Sequence, residues 1–248
     1  MMSLFHSIVY VPIYNLLIFL VDIVPGGDIG IAVICATIIV RLAILPLTFS
    51  QLRTARASRA LQPEMKKIQA LYKEDPEKRG RETLALYKKY GINPFAGILT
   101  ALLQFPILIG LYLVFQSHTL STVDTSLLYS FVSVPSQVSP LFLGIFAVAG
   151  TSLLLAALAA AFQCIQIWYS IPVPPKSDKP GTDMQEDFAR VMALQMRFLL
   201  PIFIGIAAFY TSSAIALYFI TGAVVGIVQE FIVRRQKFSP PDSTSAPI

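Results

Sequence analysis

Apolar residues in this chain come in long unbroken runs separated by polar stretches. Ile29–Phe49 (IGIAVICATIIVRLAILPLTF) contains a single charge, Arg41. As a helix, such a run is long enough to cross a hydrocarbon core of about 30 Å at about 1.5 Å per residue. Phe95–Gln116 is a second run, and a third begins near Pro140 and reaches Tyr169. The last, Phe198–Val233, is interrupted at Thr211-Ser212-Ser213. It is too long for one span and predicts a tight hairpin, Phe198–Tyr210 followed by Ala214–Val233. The shorter arm would cover only about 20 Å, so it should start among the headgroups or thin the bilayer locally. Leu4–Val24 is also apolar, but Pro12, Asn15 and Asp22 interrupt it. It is read as an interfacial helix rather than a sixth span. The runs are continuous rather than alternating, which excludes a membrane β-barrel.

A polar insert separates the first two spans. In Gln51–Asn93, Leu61, Met65, Ile68 and Tyr72 lie on one helical face. Pro63 suits the first turn of that helix, and Glu74-Asp75-Pro76 ends it. A second helix is expected from about Glu77 to Tyr90, with Leu84 and Tyr87 on one face. Gly91 would cap it, and Asn93-Pro94 would turn the chain back into the membrane. The insert therefore reads as a helical hairpin outside the bilayer.

Composition agrees with the pattern. Of 248 residues, 55% are hydrophobic and 13% charged, about half the charged fraction of a soluble domain. The fold class expected is an all-α polytopic membrane protein. Its parts are an outer interfacial helix and turn (1–28), a first core span (29–50), a cytoplasmic hairpin (51–93), four further spans (94–233) and a cytoplasmic tail (234–248). Cys35 and Cys164 both lie in apolar runs, so no disulfide is expected. The N-terminus lacks the basic segment of a cleavable signal.

The basic residues orient the spans. Eleven of the nineteen Lys and Arg fall in Gln51–Asn93, four in Ser170–Arg197 and three in Arg234–Lys237, leaving only Arg41. None lies in Met1–Asp28 or Ser117–Ser139. This alternation puts the first loop, the third-to-fourth loop and the C-terminus in the cytoplasm. On the hairpin, Arg53, Arg56 and Arg59 precede the first helix. Lys66, Lys67 and Lys73 are carried on or just after it, and Lys78, Arg79, Arg81, Lys88 and Lys89 on the second. Two readings stay open for this net +6 surface. One is a solvated face beside anionic lipid. The other is a docking surface for a nascent chain, a ribosome or another translocation component, with ribosomal phosphates met by Lys and Arg. No base-specific DNA readout is expected.

Arg41 is the most informative residue. A charge in a spanning helix is costly and is seldom there without a use. Snorkelling is awkward, because Phe49 lies eight residues further on, roughly 12 Å. An ion pair would need an acid at similar depth, and Glu230 is the candidate. The third reading, a wet cavity around the guanidinium, is preferred. Thr37 shares the helical face of Arg41, Gln104 lies in the second span, and Gln163 and Gln166 share a face of the third. Each is either a groove residue or a partner in an ordinary interhelical hydrogen bond. The chain has no phosphate-binding loop, no H-E-x-x-H and only His6 and His118, both assigned to the outer side. Nucleotide hydrolysis, metalloprotease chemistry and any cofactor are not expected, and the protein is not read as an enzyme.

Five motifs in order carry a resemblance. They are Arg41 with the Leu45-Pro46-Leu47-Thr48 exit, Leu61-Gln62-Pro63, Ala85-Leu86-Tyr87-Lys88-Lys89-Tyr90-Gly91-Ile92-Asn93-Pro94, Gln104-Phe105-Pro106-Ile107 and Leu217-Tyr218-Phe219. Together they resemble the YidC family of membrane protein insertases over nearly the whole chain, in a minimal bacterial form without a large periplasmic domain. The resemblance implies a five-helix core with a hydrophilic groove open to the cytoplasm and to lipid. It places the family arginine at Arg41 and adds Tyr218 to the groove. It implies nascent membrane proteins and the bilayer as partners, the ribosome and Sec translocon as candidate partners, a monomeric active form and the bacterial cytoplasmic membrane. Two rival classes remain: a small channel or transporter with an anion site at Arg41, and a membrane chaperone that assists assembly only.

Overall fold

In a computed structural model the residues described are 2–91, 96–116, 123–170 and 184–235. The expected Asn93-Pro94 turn, Lys176 and Lys179 of the third-to-fourth loop, and the tail beyond Arg235 lie outside them. The chain divides into two compact units, 1–43 with 105–228, and 44–104 with 229–248.

The first unit begins with α1 (Met2–Phe5), a π-helical turn (His6–Tyr10) and α2 (Val11–Ile23) in continuous succession. Pro12 has no N–H to give to the ladder, and the wider turn falls just before it. Gly26 and Gly27, both at positive φ, make the turn into α3 (Ile29–Ala43). The expected single helix Ile29–Phe49 does not form. It breaks at Ile44, and a new helix, α4 (Leu45–Ala60), starts with Pro46 in its first turn. Proline cannot donate inside a helix and clashes with the preceding turn, so the chain restarts there.

The second unit continues with α5 (Gln62–Leu71) and α6 (Pro76–Lys89). The two pair as the expected hairpin, around buried Ala57, Leu61 and Leu86 with Met65, Ile68, Tyr87 and Tyr90 against them. Pro63 sits in the first turn of α5, and the Asp75 carboxylate caps α6 by accepting from Lys78 N at 2.9 Å. Gly91, at φ 63°, follows the end of α6. Leu86 rather than Leu84 supplies the buried leucine of α6; Leu84 is 57% exposed.

α7 (Ala96–Gln116) returns to the first unit from Phe105 onward. The third span is shorter than expected. Residues 140–152 form strands β1 (Leu141–Phe142) and β2 (Phe146–Ala147), paired antiparallel, and α8 spans only Leu153–Ser170. Pro140, Gly144 and Gly150 break the apolar run locally, and Ser152 Oγ accepts from Leu155 N at 3.3 Å to start the helix. α9 is longer than expected, Met184–Thr211, and α10 spans Ser213–Arg235. The hairpin break at Thr211-Ser212-Ser213 is therefore as expected. The short arm is not, because Arg190–Thr211 is long and apolar enough to cross a membrane by itself. Arg197 misled the reading of polarity: its guanidinium lies over the Trp168 ring, 4.9 Å from the centroid, and the helix runs through it.

α8 packs along α9, where Gly205 permits close approach; a Cβ there would lie 2.9 Å from that of Ala160. At one end of the first unit, residues 123–152 tie the helices together. Asn15, 2% exposed, donates through Nδ2 to Leu127 O at 2.8 Å and accepts from Tyr129 N at 2.7 Å. Tyr14 Oη accepts from Asp124 N, and Ser133 Oγ donates to Asp22. Asp28 accepts from Ile31 N at 3.0 Å and Leu143 N at 2.7 Å. Ser213 Oγ donates to Gly150 O at 2.9 Å. The polar residues that interrupt Leu4–Val24 are thus used to hold this segment.

Among the described residues, four helices are long and apolar enough to cross a membrane: His6–Ile23, Leu153–Ser170, Arg190–Thr211 and Ser213–Arg235. Counting the broken pair α3 and α4 as one span makes five.

Candidate functional site

The break at Ile44 puts Arg41 in the last turn of α3. There its positive charge also complements the carbonyl end of the helix. The side chain is half-buried and points at α10. A Cβ on Gly222 would come within 2.7 Å of Arg41 Nη2 and 3.5 Å of Cζ, so only glycine leaves room for this guanidinium placement. Tyr218, 3% exposed, lies one turn earlier on the same face of α10. Among the described residues no carboxylate forms an ion pair with Arg41. The acid considered for that role, Glu230, accepts instead from Arg234 Nε at 3.2 Å.

The same face of α10 continues to Gly226. A Cβ there would overlap the Gln166 amide nitrogen, with Cδ at 2.9 Å, so α10 also makes room for Gln166 of α8. Gln163 Nε2 donates to Gln166 Oε1 at 3.2 Å. Arg41 and the Gln163–Gln166 pair therefore border one stripe, Tyr218, Gly222 and Gly226, within the first unit. Thr37 is 2% exposed, and its hydroxyl donates to Val33 O of its own helix at 2.7 Å. Gln104 is half-buried on α7 and belongs to the second unit. The sequence reading named neither Gly222 nor Gly226. Their G-x-x-x-G spacing in an apolar helix was the available signal, because it marks a face that admits close neighbours.

The hairpin residues divide by role. Lys66, Lys67, Lys73, Lys78, Lys88, Lys89 and Arg53 are exposed. Arg81 pairs with Glu77 at 2.7 Å, a surface pair of little energetic weight. Arg79 is half-buried, and the Arg59 side chain lies outside the description. Tyr90 donates to Glu64 Oε1 at 3.0 Å, which favours the protonated phenol and raises its pKa. Arg56 points elsewhere: Nη1 donates to Val233 O, and Nη2 donates to Arg234 O at 2.9 Å. It caps the last carbonyls of α10, where a cation is doubly favourable.

Among the described residues no cluster of three or more His, Cys, Asp or Glu could hold a metal ion. The arrangement instead offers a cation and amide groups beside a small-residue helix face, suited to meeting polar or anionic groups.

Comparison with known proteins identifies the setting. The family model of the 60Kd inner membrane protein matches residues 19–240. The membrane protein insertase YidC of Clostridium tetani is 34% identical over 212 residues, covering 85% of this chain and 84% of the relative. The membrane protein insertase MisCA of Bacillus subtilis is 30% identical over 219 residues, covering 84% and 71%. With its apolar helices, this makes the protein a multi-pass protein of the bacterial inner membrane. The chain belongs to the 60Kd inner membrane protein family, that of the YidC membrane protein insertases.

Proposed function

We propose that this protein moves the short polar tails of nascent membrane proteins through a hydrophilic groove and releases their apolar helices into lipid, without nucleotide hydrolysis. The observation that carries the reading is Arg41, a guanidinium in an apolar helix with no carboxylate partner among the described residues. An unneutralised charge there is costly and suits a role toward transient anionic groups.

A substrate helix partitions into lipid favourably, but its polar tail must cross the apolar core, where unpartnered polar groups are costly. A wet, half-depth groove shortens that crossing. Arg41 attracts acidic or polar groups of the tail, while Tyr218, Gln163 and Gln166 offer hydrogen bonds along the α10 stripe. Burial of the apolar segment supplies the energy, and the membrane potential adds to it for acidic tails. Thr37 is a supporting position on the same route; Gln104, in the second unit, is kept as a groove candidate on the sequence alone. The short, bilayer-thinning arm is no part of this mechanism, because α9 is long enough to span.

The basic-residue alternation supports a cytoplasmic C-terminus and hairpin. Residues 124–133 bond along α2 from Tyr14 to Asp22. Irregular chain is not tolerated in contact with lipid tails, so this supports an outer interfacial position for α2. The hairpin's exposed lysines serve as a docking face for nascent chains, the ribosome or the Sec translocon, and the protein acts as a monomer.

The test is reconstitution of the purified protein alone in liposomes with a ribosome-free, single-span substrate carrying a short acidic tail. Protection of the tail from protease above that in empty liposomes is expected. Unprotected tail, with substrate crosslinked in the membrane, would make the protein an assembly chaperone instead.

A further inference from the structure

Residues 125–175 contain no charged side chain, and within them the β1–β2 hairpin exposes an apolar tip. Leu143 is 60% and Ile145 72% exposed. Leu143 lies at φ 53°, among the described residues the only non-glycine with positive φ, and Gly144 follows at φ 71°. Ile145 N closes the turn on Phe142 O at 3.0 Å. Tight turns of this hand favour Asn-Gly or Gly-Gly, because a branched side chain is strained in the left-handed region. A leucine here is disfavoured by the backbone and, if it faced water, by its exposure. Such strain persists where surrounding structure enforces it. The enforcing contacts are the Asp28 carboxylate, which accepts from Leu143 N at 2.7 Å, and Phe142, packed over Gly30 with no room for a Cβ between them.

The hairpin's place in the unit decides its occupant. Ile29 N donates to Ser139 O, and Ala214 N donates to Val148 O at 3.0 Å. Ser152 opens α8 directly after the hairpin. The starts of α3, α8 and α10 thus meet at this hairpin, level with the boundary of the spans. Leu153 and Leu154, the first residues of α8, are 72% and 57% exposed and continue the apolar surface into the lipid-facing span.

We propose that the Leu143–Ile145 tip is an outer-leaflet anchor, inserted at the level where headgroups meet acyl chains. The partner is the lipid surface itself, reached by an apolar, uncharged tip continuous with the lipid-facing side of α8. Interfacial apolar groups bury about 5–10 Å into this boundary. Because Asp28 and Phe142 tie the tip to the first turn of α3, the anchor also fixes the depth at which α3, and with it Arg41, enters the bilayer.

The test places a tryptophan at the tip, Ile145→Trp with Trp168→Phe, in the full chain in nanodiscs holding one copy each. Lipids brominated near the top of the acyl chain should remove on the order of half its emission, from a depth of about 5–10 Å, while aqueous iodide has little effect. Leu143→Trp in the same background is the second reporter and should behave alike. Strong iodide quenching with no effect of brominated lipid would overturn the proposal. So would protection from both quenchers, since the tip would then be covered by protein. Neither reading depends on insertase activity, so this proposal and the functional one fail separately.

Discussion

At the scale of single residues, the geometry makes Gly222 as consequential as Arg41. Gly222→Ala would put a methyl group 2.7 Å from Arg41 Nη2. The guanidinium must then move, although the flexible end of a side chain can do so without unfolding the protein. The expected loss is about 1 kcal/mol of Arg41–tail coupling, roughly fivefold in insertion of an acidic-tailed substrate. Insertion of a neutral-tailed substrate should change little. Arg41→Lys should keep part of the activity if charge rather than fork geometry matters. Adding Gly222→Ala to it should cost less than it costs beside arginine, because the slimmer ammonium needs less room. Equal losses for both tails, or the same loss in both backgrounds, would mean that Gly222 serves helix packing alone. Arg41 itself was legible from its isolation in an apolar run. Its glycine neighbours were not, because their role depends on which face of α10 turns toward α3.

At the scale of elements, the runs and turns were largely readable, and the errors have local causes. The hairpin α5–α6 is legible from apolar spacing, Pro63 and the Glu74-Asp75-Pro76 break. The break at Ile44 is not legible, because Pro46 reads as part of the helix exit rather than as a helix start. The third run was read as one span because it carries no charge, yet Pro140, Gly144 and Gly150 turn its first part into the β-hairpin. The start of α9 before Phe198 is not legible, because Arg197 reads as loop until its partner ring, Trp168, is known. Arg56 illustrates a contact beyond sequence reach: a residue of the α4 helix caps the end of α10, which lies far along the chain. Arg56→Ala should lower stability by about 1 kcal/mol, allowing for its partial exposure. Thermal unfolding in detergent would read this as a lower Tm, with Arg56→Lys falling between; an unchanged Tm would remove the cap from the account of the second unit. Deleting Glu64–Arg81 should leave the first unit folded, because its buried core draws on neither α5 nor α6. Native-like size-exclusion behaviour with impaired substrate delivery is expected. Loss of soluble, monodisperse protein would make the hairpin a scaffold instead.

At the scale of the whole molecule, charge placement is the argument for the proposed orientation, and local packing ties residues 123–152 to one end of the first unit. The loop bonded to Tyr14, Asn15, Asp22 and Asp28 lacks basic residues, whereas the hairpin holds eleven of nineteen in the segment around it. With Cys35 and Cys164 replaced by serine, Ser136→Cys should react with an impermeant thiol reagent added to intact cells. Lys73→Cys should react only after permeabilisation. Labelling of Lys73→Cys in intact cells would reverse the topology and, with it, the direction in which a groove could open. The family was legible in the order of five motifs. The stripe of Tyr218, Gly222 and Gly226 that borders Arg41 came only from the fold.

The most direct measurement compares Arg41→Ala with the unmodified protein in the same liposomes, using two single-span substrates that differ only in an acidic or a neutral tail. Protease protection of the acidic tail should fall several-fold, about 1 kcal/mol or more, while that of the neutral tail stays near its original level. Equal protection of both tails by the variant would contradict an electrostatic role for Arg41.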